Sequence, residues 1–225
     1  MSRRLDASKR ALTSETRRSV RRAQRALRFS ELRKRQVADL GEDILRSCRV
    51  AITAIHSGRS KEARRELKAS TGRFKRFLKL TRSACYLKQW GYAIQVIQEF
   101  LEASLLLCAC TGERLFPLDD LDSLPDLAIL YGVSDLIGEL RRKVLTSLTR
   151  EDTDEALRLF NMMSELYGEL SSVSLTDSVA PGLRRKLDVN RSVLEATLSD
   201  VTEEVSRRKL TKSMAALAER LQRNK

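Results

Sequence analysis

The sequence predicts an all-α protein, and three observations carry that expectation. Apolar residues recur at three-and-four spacing along almost the whole chain, and no sustained alternating run marks a strand. Pro and Gly are scarce, at 3 and 9 in 225 residues. The length suits one large domain with a single core, and no repeat period of about 20–50 residues suggests a solenoid.

Seven helices follow from the punctuation. The first covers 14–56 and stops at Ser57-Gly58; the second covers 60–80. A third, at 83–110, ends before Thr111-Gly112, and the acidic connector from Pro117 to Pro125 holds too many Asp residues for a buried segment. The fourth covers 124–148. Asp152 with Glu155 three residues on has capping-box spacing and opens the fifth, 153–172. Ser178 to Gly182, with Pro181, separates it from the sixth, 181–207, and the seventh is 210–223. Residues 1–28 read as a basic extension, helical or loose, in front of one domain at 29–225.

The formal charge of +13 is concentrated at one end. Residues 1–36 hold 13 Lys/Arg against 3 Asp/Glu, and large apolar residues there are sparse, so no packed core is expected. Such a run either neutralises phosphates, which makes binding salt-dependent, or forms a solvated helix extension. Its apolar face is too thin for a membrane-surface helix.

Several chemistries are excluded or disfavoured. His56 is the only histidine, which argues against Ser-His-Asp, Cys-His and two-histidine metal sites and suits a helix-end or packing role. Cys48, Cys85, Cys108 and Cys110 lack zinc-ligand spacing and read as reduced core thiols. No Gly-rich phosphate loop is present. The amino terminus lacks the apolar stretch of a secretory signal, and Gln95, Gln98, Glu99 and Glu102 interrupt the apolar run at 93–110, so a soluble, cytoplasmic protein is expected.

Two acidic pairs stand out inside apolar helical runs. Glu99 and Glu102 lie in AIQVIQEFLEASLLLCA, Ala93 to Ala109; Asp135 and Glu139 lie in LAILYGVSDLIGELRRK, Leu127 to Lys143. Spacings of three and four put each pair on one helix face. An unpaired buried carboxylate costs several kcal/mol, so something should neutralise these acids. Solvent on an exposed face, salt bridges between helices, and a bound divalent cation all remain open on the pattern alone.

The same residues resemble a known family. VIQEFLEA, Val96 to Ala103, and GVSDLIGELRR, Gly132 to Arg142, are similar to motifs of the translin family, and within it to the translin-associated factor X branch. Asp43-Ile44 through Ile52 to His56, and LRRKLD from Leu183 to Asp188, add to the likeness, which spans roughly residues 30–208. It implies a seven-helix fold assembling into a hollow octamer, with nucleic acid handled inside the shell. It also implies a magnesium site for cleaving single-stranded RNA, with Glu99, Glu102, Asp135 and Glu139 as ligands. Translin itself, which binds RNA, lacks the acids matching Glu99 and Glu102, so their presence puts this chain on the catalytic side. Where the family commonly has an Asp seven residues before Asp135, this chain has Ala128.

The function expected is thus a Mg2+-dependent single-stranded RNA endoribonuclease, with Mn2+ able to substitute; the alternative is a non-catalytic assembly binding single-stranded RNA or DNA. One or two ions would polarise a phosphoryl oxygen and activate water, with Asp135 or Glu139 as general base. Arg142 either contacts the scissile phosphate or makes a structural ion pair. Arg49, Lys88 and, less directly, Arg46 are candidates for backbone contacts, and Trp90 and Tyr92 for base stacking, against packing roles for the two rings. Arg184, Arg185 and Lys186 read as a solvated basic face. Assembly is expected with copies of itself or with a translin-like chain, and no membrane partner is expected.

Overall fold

A computed structural model describes residues 2–82 and 90–223. These form six α-helices and no strand: α1 Ser2–His56, α2 Ser60–Arg82, α3 Gly91–Thr111, α4 Asp126–Thr149, α5 Thr153–Ser171 and α6 Leu183–Arg223, with a short 3-10 turn at Leu121–Ser123. The expected sixth and seventh helices are one. No Gly or Pro lies between Leu183 and Arg223, Arg207–Glu203 and Arg208–Glu204 pairs support the turn before the expected break, and Thr211 Oγ1 donates to the Arg207 carbonyl across it. The start expected for the third helix lies at 83–89, outside the described residues.

Two helices, α1 and α3, end at glycines in the left-handed conformation. Gly58 and Gly112 take positive φ values of 77° and 73°, and the Gly112 N–H donates to the Cys108 carbonyl, closing α3. Asp152 caps α5 by accepting from the Glu155 N–H at 3.1 Å. Only half of a capping box forms, because the Glu155 carboxylate turns to Arg158 instead.

α3 is the centre of the molecule. It packs on α1, α2 and α4, while α4 also packs on α5 and α6. Its apolar residues are buried nearly all round, including Val96, Ile97, Phe100, Leu101, Leu106 and Leu107. Phe100 stacks on Phe74 of α2 with centroids 4.0 Å apart, a contact that adds about 0.5–1.5 kcal/mol beyond area burial. By length and composition α3 would cross a membrane, but its most apolar window is 67% buried inside the protein, as a core helix requires.

α1 has two halves. From Val37 onward Ile44, Cys48, Ala51 and Ile55 form a buried stripe at helical spacing. Every residue from 12 to 29 is exposed. Residues 12–29 therefore continue α1 as an exposed helical arm, and the carboxy-terminal part of α6 forms a second exposed arm from residue 209 on.

Candidate functional site

Two helices bring the acids together because they approach closely at one point. A Cβ built on Gly132 of α4 would lie 3.1 Å from the Gln98 carbonyl of α3, so the glycine is what permits that contact. Asp135 follows one helical turn later on the same face. Asn190 of α6 fixes the other side, donating to Ser134 Oγ at 2.8 Å and to the Ser134 carbonyl at 3.1 Å.

Glu99, Glu102, Asp135 and Glu139 line one cleft of about 440 Å³ with Arg49, Ile52 and Thr53 of α1. The two pairs differ in how they are held. On α4, Glu139 Oε2 meets His56 Nε2, and Asp135 accepts from Gln98 Nε2 on one oxygen and from Lys186 Nζ on the other. On α3, Glu99 and Glu102 make no hydrogen bond or ion pair among the described residues, although Glu102 is only 7% exposed.

The electrostatics follow that division. Burial, then the charge of Asp135, then Glu99 and Glu139 push the Glu102 carboxyl up to about 8. Glu99 is raised by burial and by Asp135, with Arg49 and Lys186 opposing. Glu139 is lowered, first by its hydrogen bond from His56 and in smaller part by the charges of His56 and Arg142. Burial beside Glu99 and Glu102 also raises the thiol of Cys48. Like charge accumulates faster than the two nearby cations offset it.

Such a donor set suits a divalent cation. Four carboxylates offer hard oxygen ligands, and an unpartnered buried Glu102 is the kind of group an ion would neutralise. As the side chains stand, no three acids, thiols or imidazoles among the described residues are grouped to hold one ion. His56 and the Gln98–Lys186 pair occupy the α4 carboxylates that would complete the set.

The remaining predicted residues are placed as follows. Arg49 is exposed on the rim of the cleft, and Arg142 is exposed one turn beyond Glu139. Arg46 is exposed and 3.6 Å from Asp43. Lys88, like Cys85, lies outside the described residues; Cys48, Cys108 and Cys110 are free thiols. Trp90 and Tyr92 are not brought to the cleft. Their rings pack together with centroids 5.0 Å apart, Tyr92 donates to the Ala38 carbonyl at 3.0 Å, and Tyr92 lies so close over Gly41 that a Cβ there would meet its hydroxyl at 2.5 Å.

Three residues that the sequence reading did not place at the site are found there. Lys186 departs from the solvated face formed by Arg184 and Arg185, which are exposed, and reaches Asp135. His56, at the carboxy-terminal end of α1 as expected, is buried and paired with Glu139. Gln98 completes the set. The LRRKLD motif and the basic cluster of Arg184, Arg185 and Lys186 both include Lys186, and neither indicates which cation turns inward.

An all-helical fold in which two adjacent helices turn paired acids into one cleft defines the class of protein. The translin family model matches residues 4–196, and the chain belongs to the translin family. It is 31% identical over 176 residues to an uncharacterised protein of Methanocaldococcus jannaschii, covering 78% of each chain. It is similar to AfC3PO, described both alone and in a complex with duplex RNA. The structure of AfC3PO alone has 30% identity and a TM-score of 0.75, over 84% of this chain and 98% of that one. For the RNA complex the identity is 29% and the TM-score again 0.75, over 84% and 97%. NeC3PO in its apo form, at 19% identity and a TM-score of 0.66 over 77% of this chain and 90% of that one, shares the fold.

Proposed function

We propose that the cleft between α1, α3 and α4 is a Mg2+-dependent endoribonuclease site acting on single-stranded RNA within a translin-type oligomer. The observation that carries this reading is the buried, unpartnered Glu102 beside Glu99, facing two more carboxylates across one cleft. Similarity to AfC3PO, whose complex contains duplex RNA, supports RNA as the ligand class.

Glu99 and Glu102 would hold the ion, joined by Asp135 and Glu139. A bound Mg2+ supplies Lewis-acid polarisation of a phosphoryl oxygen and a more acidic water. Glu139 keeps Oε1 as an acceptor for the attacking water while His56 anchors Oε2; its lowered pKa suits orienting that water. Arg49 on the rim offers a guanidinium to a phosphate of the incoming strand, and Arg142 offers another. Exposed apolar residues on both arms, among them Leu27 and Phe29 on α1 and Leu210, Met214, Leu217 and Leu221 on α6, support self-association.

A second reading is a non-catalytic RNA-binding assembly. It is favoured by the partners already held by Glu139 and Asp135. Labelled single-stranded and duplex RNA, incubated in Mg2+ and in chelator, separates the two. Cleavage of the single strand only in Mg2+, reduced by about 100-fold or more in Glu99→Ala and Asp135→Ala with oligomer mass unchanged, is the expected result, at or beyond the loss typical of outer-shell partners. Intact RNA in Mg2+, or equal cleavage by both variants, removes the nuclease assignment.

A further inference from the structure

Lys186 comes from α6, which otherwise does not line the cleft, yet its ammonium rests on Asp135 Oδ1. Its position is built. Asn190, one turn on along the same face of α6, is docked on Ser134, the residue before Asp135. Leu183, one turn back, is buried, and the Tyr131 ring, with its hydroxyl donating to the Pro181 carbonyl at 3.0 Å, lies 5.9 Å from Lys186 Nζ. Gln98 Nε2 takes the other Asp135 oxygen, so both oxygens of that carboxylate already have nitrogen donors.

Resting on the divalent-ion reading above, we infer that Lys186 is the resident counter-cation of the cleft, standing where a second divalent ion would, so that each chain holds one. Four carboxylates face Arg49 and Lys186, with Arg142 and the His56 imidazole beside Glu139, so acids outnumber the cations of the cleft and a single divalent ion offsets the excess. A two-ion site sets its metals about 3.5–4 Å apart and draws on shared oxygen ligands. With Gln98 and Lys186 each donating to one Asp135 oxygen, fewer of its lone pairs are left to bridge such a pair, and the Lys186 charge opposes a second ion beside it. Lys186 is a positioning residue: it holds Asp135 on the cleft side of α4 and repels a second ion.

The test counts and weighs bound Mn2+ by electron paramagnetic resonance titration of the full chain, without RNA. One Mn2+ per chain is expected in the wild type. Lys186→Gln keeps a hydrogen-bond donor for Asp135 but removes the charge, and it should bind its ion about tenfold more tightly or better, as loss of a like charge within a few ångströms predicts. Lys186→Arg should retain wild-type affinity. Two ions in the wild type, or unchanged or weaker binding by Lys186→Gln, overturns the inference while leaving the divalent-ion reading in place. Absence of Mn2+ binding in the wild type overturns both. Lys186→Met read in the same way covers the case in which Lys186→Gln fails to fold.

Discussion

Glu102 is the residue on which the energetics of this protein turn. It is a carboxylate on a core helix, with three other acids near it and no hydrogen-bond partner among the described residues. Because its folded pKa is raised from 4.5 to about 8, the folded protein retains a proton that the unfolded chain has already released. Metal-free stability should therefore fall as pH rises through that window and level off above it. Glu102→Gln removes the penalty, so its thermal midpoint in chelator should exceed that of the wild type at about pH 9, with the gap closing toward about pH 4. A thermal series across pH checks this; a less stable variant at high pH would contradict it. The spacing of the acids was legible in the sequence because three-and-four periodicity is local. Their partners were not: His56 is 83 residues from Glu139, Gln98 is 37 from Asp135, and Lys186 is 51 from Asp135. No local rule says which distant side chain a fold will bring to a carboxylate.

Among the elements, α3 and α4 define the site through one close contact. Gly132 and Gly138 look alike in the sequence, both in GVSDLIGEL, but only Gly132 meets the neighbouring helix. Gly132→Ala should destabilise by about 1–3 kcal/mol through overpacking against the Gln98 carbonyl, whereas Gly138→Ala, with nothing near its Cβ, should be stabilising by about 0.5–1 kcal/mol. Denaturant unfolding of the pair measures both, and equal effects would deny the contact its role. The helix boundaries at Gly58, Gly112 and Asp152 were readable because each is a local signal. Helices expected at 181–207 and 210–223 are one helix, Leu183–Arg223. Continuity of a helix needs no continuous apolar face when ion pairs one turn apart support an exposed stretch. The α1 arm belongs to this scale too. Removing residues 1–28 should weaken RNA binding and flatten its salt dependence, since the lost arginines no longer displace counterions. Identical salt slopes for the two proteins would make the arm irrelevant to RNA.

At the scale of the whole molecule, four core-facing acids, one buried imidazole and two cations from four helices meet at a single cleft. The family match and the fold were legible in the motifs of α3 and α4, whereas the cation that α6 contributes became visible only once the helices were docked. The account's central claim is that this cleft is completed by a divalent cation. A ligand that binds only the folded state raises the midpoint of unfolding with its concentration relative to its dissociation constant. The most direct test is therefore the thermal midpoint of the wild type and of Glu99→Gln/Glu102→Gln across an Mg2+ titration at fixed ionic strength. The account predicts a saturating rise in the wild type and none in the double variant; equal curves, or none rising, would contradict it.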